Sequence, residues 1–297
     1  MGRLKDKVVL VTGSGRGFGR AMAMAYAREG ANVVIVARSV DELASAEEAM
    51  RAEGGEVLTV PADISTDEGI SRVVECTLDE YGGLDVLVNN AATSPWLTFE
   101  ETTISHWDRV IAVNLRAPFA LTKAFLPSMK ERGGGSVINI SSRSAEVGFV
   151  AESAYCPSKY GLEGLTQCLA LELRPHNVAV NSLNVSAPEG LRLKPTEMTL
   201  RQAGGMPEEE RRLYTDDDSM VESFGDAWTF LALQRGDGIT GQRLSTRALA
   251  ETLRSGGEQA AYERWRGKLM QAVYTPIDWP DRVRYQTPDG GWKELVY

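Results

Sequence analysis

The stretch KVVLVTGSGRGFGRAMAMAYAREG, Lys7 to Gly30, carries three elements in succession. Lys7 to Thr12 is a short apolar run that reads as a buried strand. Gly13-Ser14-Gly15-Arg16-Gly17-Phe18-Gly19 is a glycine-rich loop, and an alanine-rich run follows to Glu29 and is closed by Gly30. Glycines let a backbone come close to a pyrophosphate. The amides of a helix first turn have no internal acceptor and sit at the positive end of the helix dipole. A strand, a glycine loop and a helix in this order form the setting of a dinucleotide cradle, against the plainer alternative of a tight structural turn.

The downstream sequence repeats the alternation. Ala31 to Ala37 is a second strand, and it ends in Arg38, where an acidic residue would bind the ribose hydroxyls of NAD. Arg38 and Arg16 offer two guanidinium groups suited to a ribose 2'-phosphate, so NADP(H) is preferred over NAD(H); two solvated surface arginines are the alternative. Ser39-Val40-Asp41-Glu42 has the form of a capping box. Glu56 to Pro61 is a third strand leading into Asp63-Ile64. A helix runs from about Thr66 to Tyr81, and Leu84 to Val88 is a fourth strand ending in Asn89-Asn90-Ala91-Ala92. Strands alternating with helices at this spacing call for an α/β fold, a doubly wound parallel sheet of Rossmann type with helices on both faces. Its ligand belongs at the carboxyl ends of the strands, where the glycine loop, Arg38, Asp63 and Asn90 all fall.

A second informative stretch, SRSAEVGFVAESAYCPSK, runs from Ser142 to Lys159. It follows the apolar run Val137 to Ser141 and ends in the first turn of a helix, where Pro157 is tolerated because first-turn amides have no intrahelical acceptor. Tyr155 and Lys159, four apart, share a helix face, and an ammonium beside a phenol favours the phenolate. A phenol titrates near pH ~10, so such a neighbour would make it useful as a base.

Taken together these residues resemble the classical short-chain dehydrogenase/reductase family. The resemblance rests on Thr12-Gly13-x-x-x-Gly17-x-Gly19, Asp63 after the third strand, Asn89-Asn90-Ala91 after the fourth, Asn114 in Val113-Asn114-Leu115, Ser142 after the fifth, and Tyr155-x-x-x-Lys159. It covers about residues 5 to 185 and fades beyond. It implies an oxidoreductase that interconverts a secondary alcohol and a ketone. Tyr155 would be the general acid/base, Ser142 would hydrogen-bond the substrate oxygen, Lys159 would lower the tyrosine pKa and bind the nicotinamide ribose, and Asn114 would hold a water in a proton relay. Gly13, Ser14, Arg16, Gly17, Phe18 and Gly19 would line the pyrophosphate, Asp63 with Ile64 the adenine, and Asn90 with Ala91 the nicotinamide-side ribose, alongside Tyr155 and Lys159. It further implies a homodimer or homotetramer built through a long helix, Ser105 to about Arg132, and the Tyr155 helix. Two other classes stay open: a dinucleotide-binding sensor, and an epimerase or dehydratase with tightly held cofactor.

The chain departs from the family after the strand Val178 to Leu183, where Asn184 to Gly190 stands in place of the usual Pro-Gly. Residues 1–250 are expected to form one dehydrogenase domain with a lid at about 187–222, and 251–297 an aromatic-rich C-terminal extension. Asp216-Asp217-Asp218 reads as a solvated face. Phe224 to Leu233 reads as a helix and Ile239 to Leu244 as the last strand. Asp281 to Tyr297 reads as a hairpin around Pro288 to Gly291. The extension either covers an active site, its own or a neighbour's, or is a surface appendage. Substrate contacts are expected from Ser94 to Phe99, Arg143 to Val150 and the lid.

Composition narrows the function class. Of 297 residues, 43% are hydrophobic and 25% charged, as in an ordinary soluble globular chain. The formal charge of −9 argues against nucleic acid or an anionic membrane as partner. Three cysteines without metal-ligand spacing and two distant histidines leave little for a metal site. No secretory or lipidation signal is legible, so the expected compartment is the cytoplasm.

Overall fold

The computed structural model describes residues 2–191, 216–270, 282–287 and 291–296. Most of the expected lid, residues 192–215, lies outside the described residues, as do Tyr274, Trp279, Tyr297 and the centre of the C-terminal hairpin, 288–290.

The apolar runs form seven parallel strands: β1 Val8–Thr12, β2 Asn32–Ala37, β3 Glu56–Pro61, β4 Val86–Asn89, β5 Gly135–Ser141, β6 Val178–Asn184 and β7 Arg243–Ser245. Their order is β3-β2-β1-β4-β5-β6-β7. Side chains alternate across a strand, and both faces are used. Val9 and Val11 of β1, with Val33 and Ile35 of β2, enter one core; Val8 and Leu10, with Val34 and Val36, enter the other. The first core is closed by α1 (Gly17–Arg28), α2 (Val40–Ala52), α7 (Asp217–Ala232) and α8 (Thr246–Trp265). The second is closed by α3 (Asp67–Tyr81), α5 (Ala117–Glu131) and α6 (Tyr155–Leu173). The strand order reverses at β1 and β4, successive strands being added first on one side and then on the other, which opens a crevice at their carboxyl ends.

Four elements differ in detail from the sequence expectation. The long helix runs from Ile104 to Glu131, but it is α4 (Ile104–Ile111), a π-helical turn (Ala112–Arg116) and α5, with Asn114 at the centre of the turn and the Ala117 amide bonded to the Ala112 carbonyl. Such a bulge often marks a functional site. Helix α7 begins seven residues before Phe224. Asp216 caps it by accepting from the Ser219 amide at 2.7 Å, and Asp217 and Asp218 pair with Arg20 (3.0 Å) and Arg28 (2.6 Å) of α1. The three aspartates are therefore a helix start docked on α1, with Asp216 and Asp218 still exposed to solvent as expected. The last strand begins only at Arg243, because the Asn181 side chain takes the Ile239 carbonyl (2.8 Å) and the Gln242 amide (3.1 Å) in place of ladder bonds. Ser39 caps α2 through the Glu42 amide at 3.3 Å, while the Glu42 carboxylate turns to Arg16 instead of completing a capping box.

Beyond β7 and α8, residues 266–270 return beside the two residues that precede β7, with the Met270 amide on the Gly241 carbonyl at 3.0 Å and the Gln242 amide group on the Lys268 carbonyl. The expected hairpin is present as antiparallel β8 (Arg282–Gln286) and β9 (Trp292–Val296). Among the described residues no helix is long and apolar enough to cross a membrane.

At the amino end of the sheet, the Asp85 carboxylate is 3% exposed and accepts from the Val8 amide (3.0 Å), Arg132 (2.8 Å) and Lys7 (3.2 Å). Burial alone would raise its pKa, but these donors hold it below the ordinary carboxylate value. Its contribution to stability is therefore complete above the unfolded value near ~4 and is lost as pH falls through the folded value. Asp85→Asn is expected to cost about 2 kcal/mol at pH 7, a figure reduced for the partly exposed cations. Urea unfolding at pH 7 and pH 3 checks this, and the gap between wild type and variant is expected to narrow at pH 3.

Candidate active site

The glycine loop is held by β4. The Thr12 hydroxyl accepts from the Asn90 and Ala91 amides, both at 3.0 Å, and the Asn90 side-chain amide donates to the carbonyls of Thr12 (2.8 Å) and Gly13 (3.2 Å). Close approach makes two glycines obligatory. A Cβ on Gly13, whose φ is +67°, would lie 2.8 Å from Ala91 Cα, and one on Gly19 would lie 2.3 Å from the Asn90 amide nitrogen. Helix α1 starts at Gly17 with no side-chain cap from Arg16, so its first amides remain for an anion. These features fit a dinucleotide pyrophosphate.

Not every expected cofactor residue offers its side chain. Ser14 is fully buried, its hydroxyl donating to the Val11 carbonyl (2.7 Å) and accepting from the Val36 amide (2.9 Å), so it laces β1 to β2. The Phe18 ring packs edge-on against buried Trp228, centroids 5.1 Å apart, and leaves only its backbone at the loop. Arg38 is exposed just past β2, and Arg16 pairs with Glu42 at 3.0 Å. Asp63 accepts from the Ser65 amide (3.0 Å) and from Arg109 of α4 (2.8 Å). Burial alone would raise its carboxyl; the Ser65 amide, Arg109 and the Ser65 hydroxyl together hold it below the ordinary value. Ile64, next to it, is buried in the second core.

At the carboxyl end of β5 the structure gathers Ser142, Tyr155 and Lys159. The Ser142 hydroxyl accepts from the Ser144 amide at 3.2 Å and donates to the Ser144 hydroxyl at 3.1 Å, and it acts to lower the pKa of the Tyr155 phenol. Lys159 is 2% exposed; its ammonium donates to the Ile140 carbonyl at 2.7 Å and lies 5.6 Å from the Tyr155 ring centroid. Burial pulls Lys159 down to about 8, with Glu163 acting in the opposite sense. The phenol behaves contrary to expectation. Burial first, then Glu152, pushes Tyr155 up to about 12 against the opposing influence of Ser142, and Lys159 is not among the groups that move it. Asn114 does not reach Lys159 directly either. Its side chain accepts from the Thr93 amide (2.9 Å) and donates to the Thr93 carbonyl and the Ser158 hydroxyl, both at 3.0 Å. Ser158 in turn donates to the Tyr155 carbonyl at 2.6 Å.

Of the segments expected to meet substrate, Ser94 to Phe99 is joined through Leu97 to Glu152, just past the end of Arg143 to Val150. Glu101 accepts from the Thr98 amide (2.9 Å) and hydroxyl (2.8 Å), which hold its carboxyl below the ordinary value, with Lys293 of β9 adding to the effect. The C-terminal hairpin is thus within electrostatic reach of this segment. Sequence reading named Thr12 only within the glycine motif and gave no role to its hydroxyl or to Arg109, Glu163 and Arg243. Only Glu163, four residues after Lys159 on the same helix, carried a spacing signal.

Residues 7–191 match the family model described as short chain dehydrogenase. The trans-4-hydroxycyclohexanecarboxylate dehydrogenase of Sinomonas cyclohexanicum is 34% identical over 249 residues, covering 82% of this chain and 92% of that protein. A metagenomic short-chain oxidoreductase solved in complex with NADP is similar at 32% identity and a TM-score of 0.66, over 82% of this chain and 97% of that one. A 7α-hydroxysteroid dehydrogenase solved with NADH and 7-oxo glycochenodeoxycholic acid is similar at 25% identity and a TM-score of 0.67, over 82% and 93%. With the glycine loop, the β1/β4 crevice and the Ser142, Tyr155 and Lys159 cluster in one molecule, this chain belongs to the short-chain dehydrogenase family and is an oxidoreductase of that type.

Proposed function

We propose that the chain interconverts a secondary alcohol and a ketone, that Tyr155 carries the proton, and that NADP(H) is used in preference to NAD(H). The observation that most supports this is the meeting of Ser142, Tyr155 and Lys159 at the end of β5, two strands from the glycine loop. When bound, NADP(H) supplies or takes the hydride. The protein supplies the proton and the electrostatics. A phenol at about 12 stays protonated through neutral pH, which suits it to give its proton to a carbonyl oxygen as negative charge grows there. The Ser142 hydroxyl donates a hydrogen bond to the same oxygen. Lys159, pulled down to about 8, exchanges protons readily near neutral pH and returns one toward the phenolate. Asn114, anchored to Thr93 and Ser158, holds the π turn against the first turn of α6.

Exposed Arg38 is the main support for the NADP(H) preference. Arg16 contributes by exchanging Glu42 for a phosphate, so the pair at 3.0 Å sets a cost on that contact. Half-exposed Phe119 and exposed Leu171, on the α5 and α6 faces, support association into a homodimer or homotetramer.

Tyr155→Phe is expected to remove turnover by at least about a thousandfold while NADPH binding changes less than about twofold, as a spectrophotometric panel of ketones and secondary alcohols with a fluorescence titration would record. Unchanged turnover rejects Tyr155 as the proton carrier. Silence of wild type across the panel, with NADPH bound, moves the reading to a sensor or a non-redox enzyme. Arg38→Ala combined with Arg16→Ala is expected to weaken NADPH by roughly a hundredfold and NADH by less than about threefold; equal losses reject the 2'-phosphate role.

A further inference from the structure

Arg243 lies two strands from β5, yet its guanidinium reaches the active-site serine. The register aligns Arg243 with Ser182 of β6, and Ser182 with Asn139 of β5, so the side chain crosses over a serine that leaves room for it. Nε donates to Glu163 Oε1 at 3.0 Å, Nη2 to the Ser142 carbonyl at 3.0 Å, and Nη1 to Glu146 Oε1. Glu163 also accepts from the hydroxyls of Ser182 (2.7 Å) and Ser141. The Arg243 and Glu163 side chains are 19% and 15% exposed. All three edges of the guanidinium are used, which only the planar fork of arginine allows.

The cluster brackets one residue. Ser141, just before Ser142, is tied to Glu163; the Ser142 carbonyl is tied to Arg243; and Glu146, four residues later, is tied to the same guanidinium. A pair serving only to join β7 to α6 would need the Arg243 and Glu163 contact alone. Sequestering these charges costs free energy that a hydrophobic pair would not, so stability is a poor reason for the arrangement.

We propose that Arg243, with Glu163 and Glu146, is a positioning residue that fixes the Ser142 backbone and so aims its hydroxyl at the substrate oxygen. This rests on the reading of Ser142 as the hydrogen-bond donor to that oxygen. A displacement of about 1 Å at such a group can cost on the order of a hundredfold in rate.

The test compares wild type with Arg243→Gln, Arg243→Lys and Glu146→Gln, each in the native and in the Ser142→Ala background, by kcat, KM and fluorescence titration of NADPH. Arg243→Gln is expected to lower kcat by roughly ten- to a hundredfold with NADPH affinity within about twofold, and Arg243→Lys to recover part of the loss. In the Ser142→Ala background the further loss is expected to be less than about twofold, since the positioned hydroxyl is gone. Glu146→Gln, at a partly exposed site, gives a smaller loss with the same pattern and carries the test if Arg243→Gln does not fold. Unchanged kcat, an equal loss in both backgrounds, or a loss confined to NADPH affinity overturns the proposal while leaving the enzyme assignment in place. A wild type that binds NADPH and turns over no alcohol or ketone removes both.

Discussion

The set of hydrogen bonds between Thr12 and the Asn90–Ala91 turn is the constraint on which the rest depends. A parallel sheet whose strand order reverses at β1 and β4 must leave a crevice there, but the crevice has a defined shape only if the two strand ends are tied. Thr12 does this with its hydroxyl, and the Asn90 side chain does it from the other strand. The glycines follow from that closeness: at Gly13 and Gly19 there is no space for a methyl group against β4. Once the loop is fixed, α1 starts at a set place, and α7 docks on it through Asp217, Asp218 and the contact of Trp228 with Phe18.

The active end of the sheet is also where this protein holds charge out of water. Lys159 is almost fully buried, and the Glu163 and Arg243 side chains are mostly buried. Each such group is costly unless its hydrogen-bonding capacity is met, and each here has two or three partners or a backbone carbonyl at 2.7 Å. The low dielectric that makes them costly is the same property that lets burial move Tyr155 and Lys159 apart, to about 12 and about 8. Desolvation leads for the phenol, and Lys159, expected to lower it, is not among the groups that move it.

Local pattern carried the Rossmann-type sheet, the helices on its two faces, the glycine loop, the Tyr155 helix and the C-terminal hairpin, because side-chain period and turn chemistry act over a few residues. The Ser142, Tyr155 and Lys159 cluster was legible through the family resemblance, since the spacing of Tyr155 and Lys159 places only those two on one helix face. Contacts between residues far apart were not legible. Arg243 is 101 residues from Ser142, the Asn181 side chain that delays β7 is about sixty from its partners, and Asp217 of α7 meets Arg20 of α1, a helix near the other end of the chain. No periodicity encodes such pairs; they exist because strand order and register bring one side chain beside another. The sequence by itself determined which elements form and which residues could do chemistry. Only the tertiary structure decided which of those side chains are already engaged elsewhere, as Ser14 and Phe18 are, and which distant charges hold the reacting ones in place, since burial and hydrogen-bond partners are properties of packed neighbours rather than of neighbours in the chain.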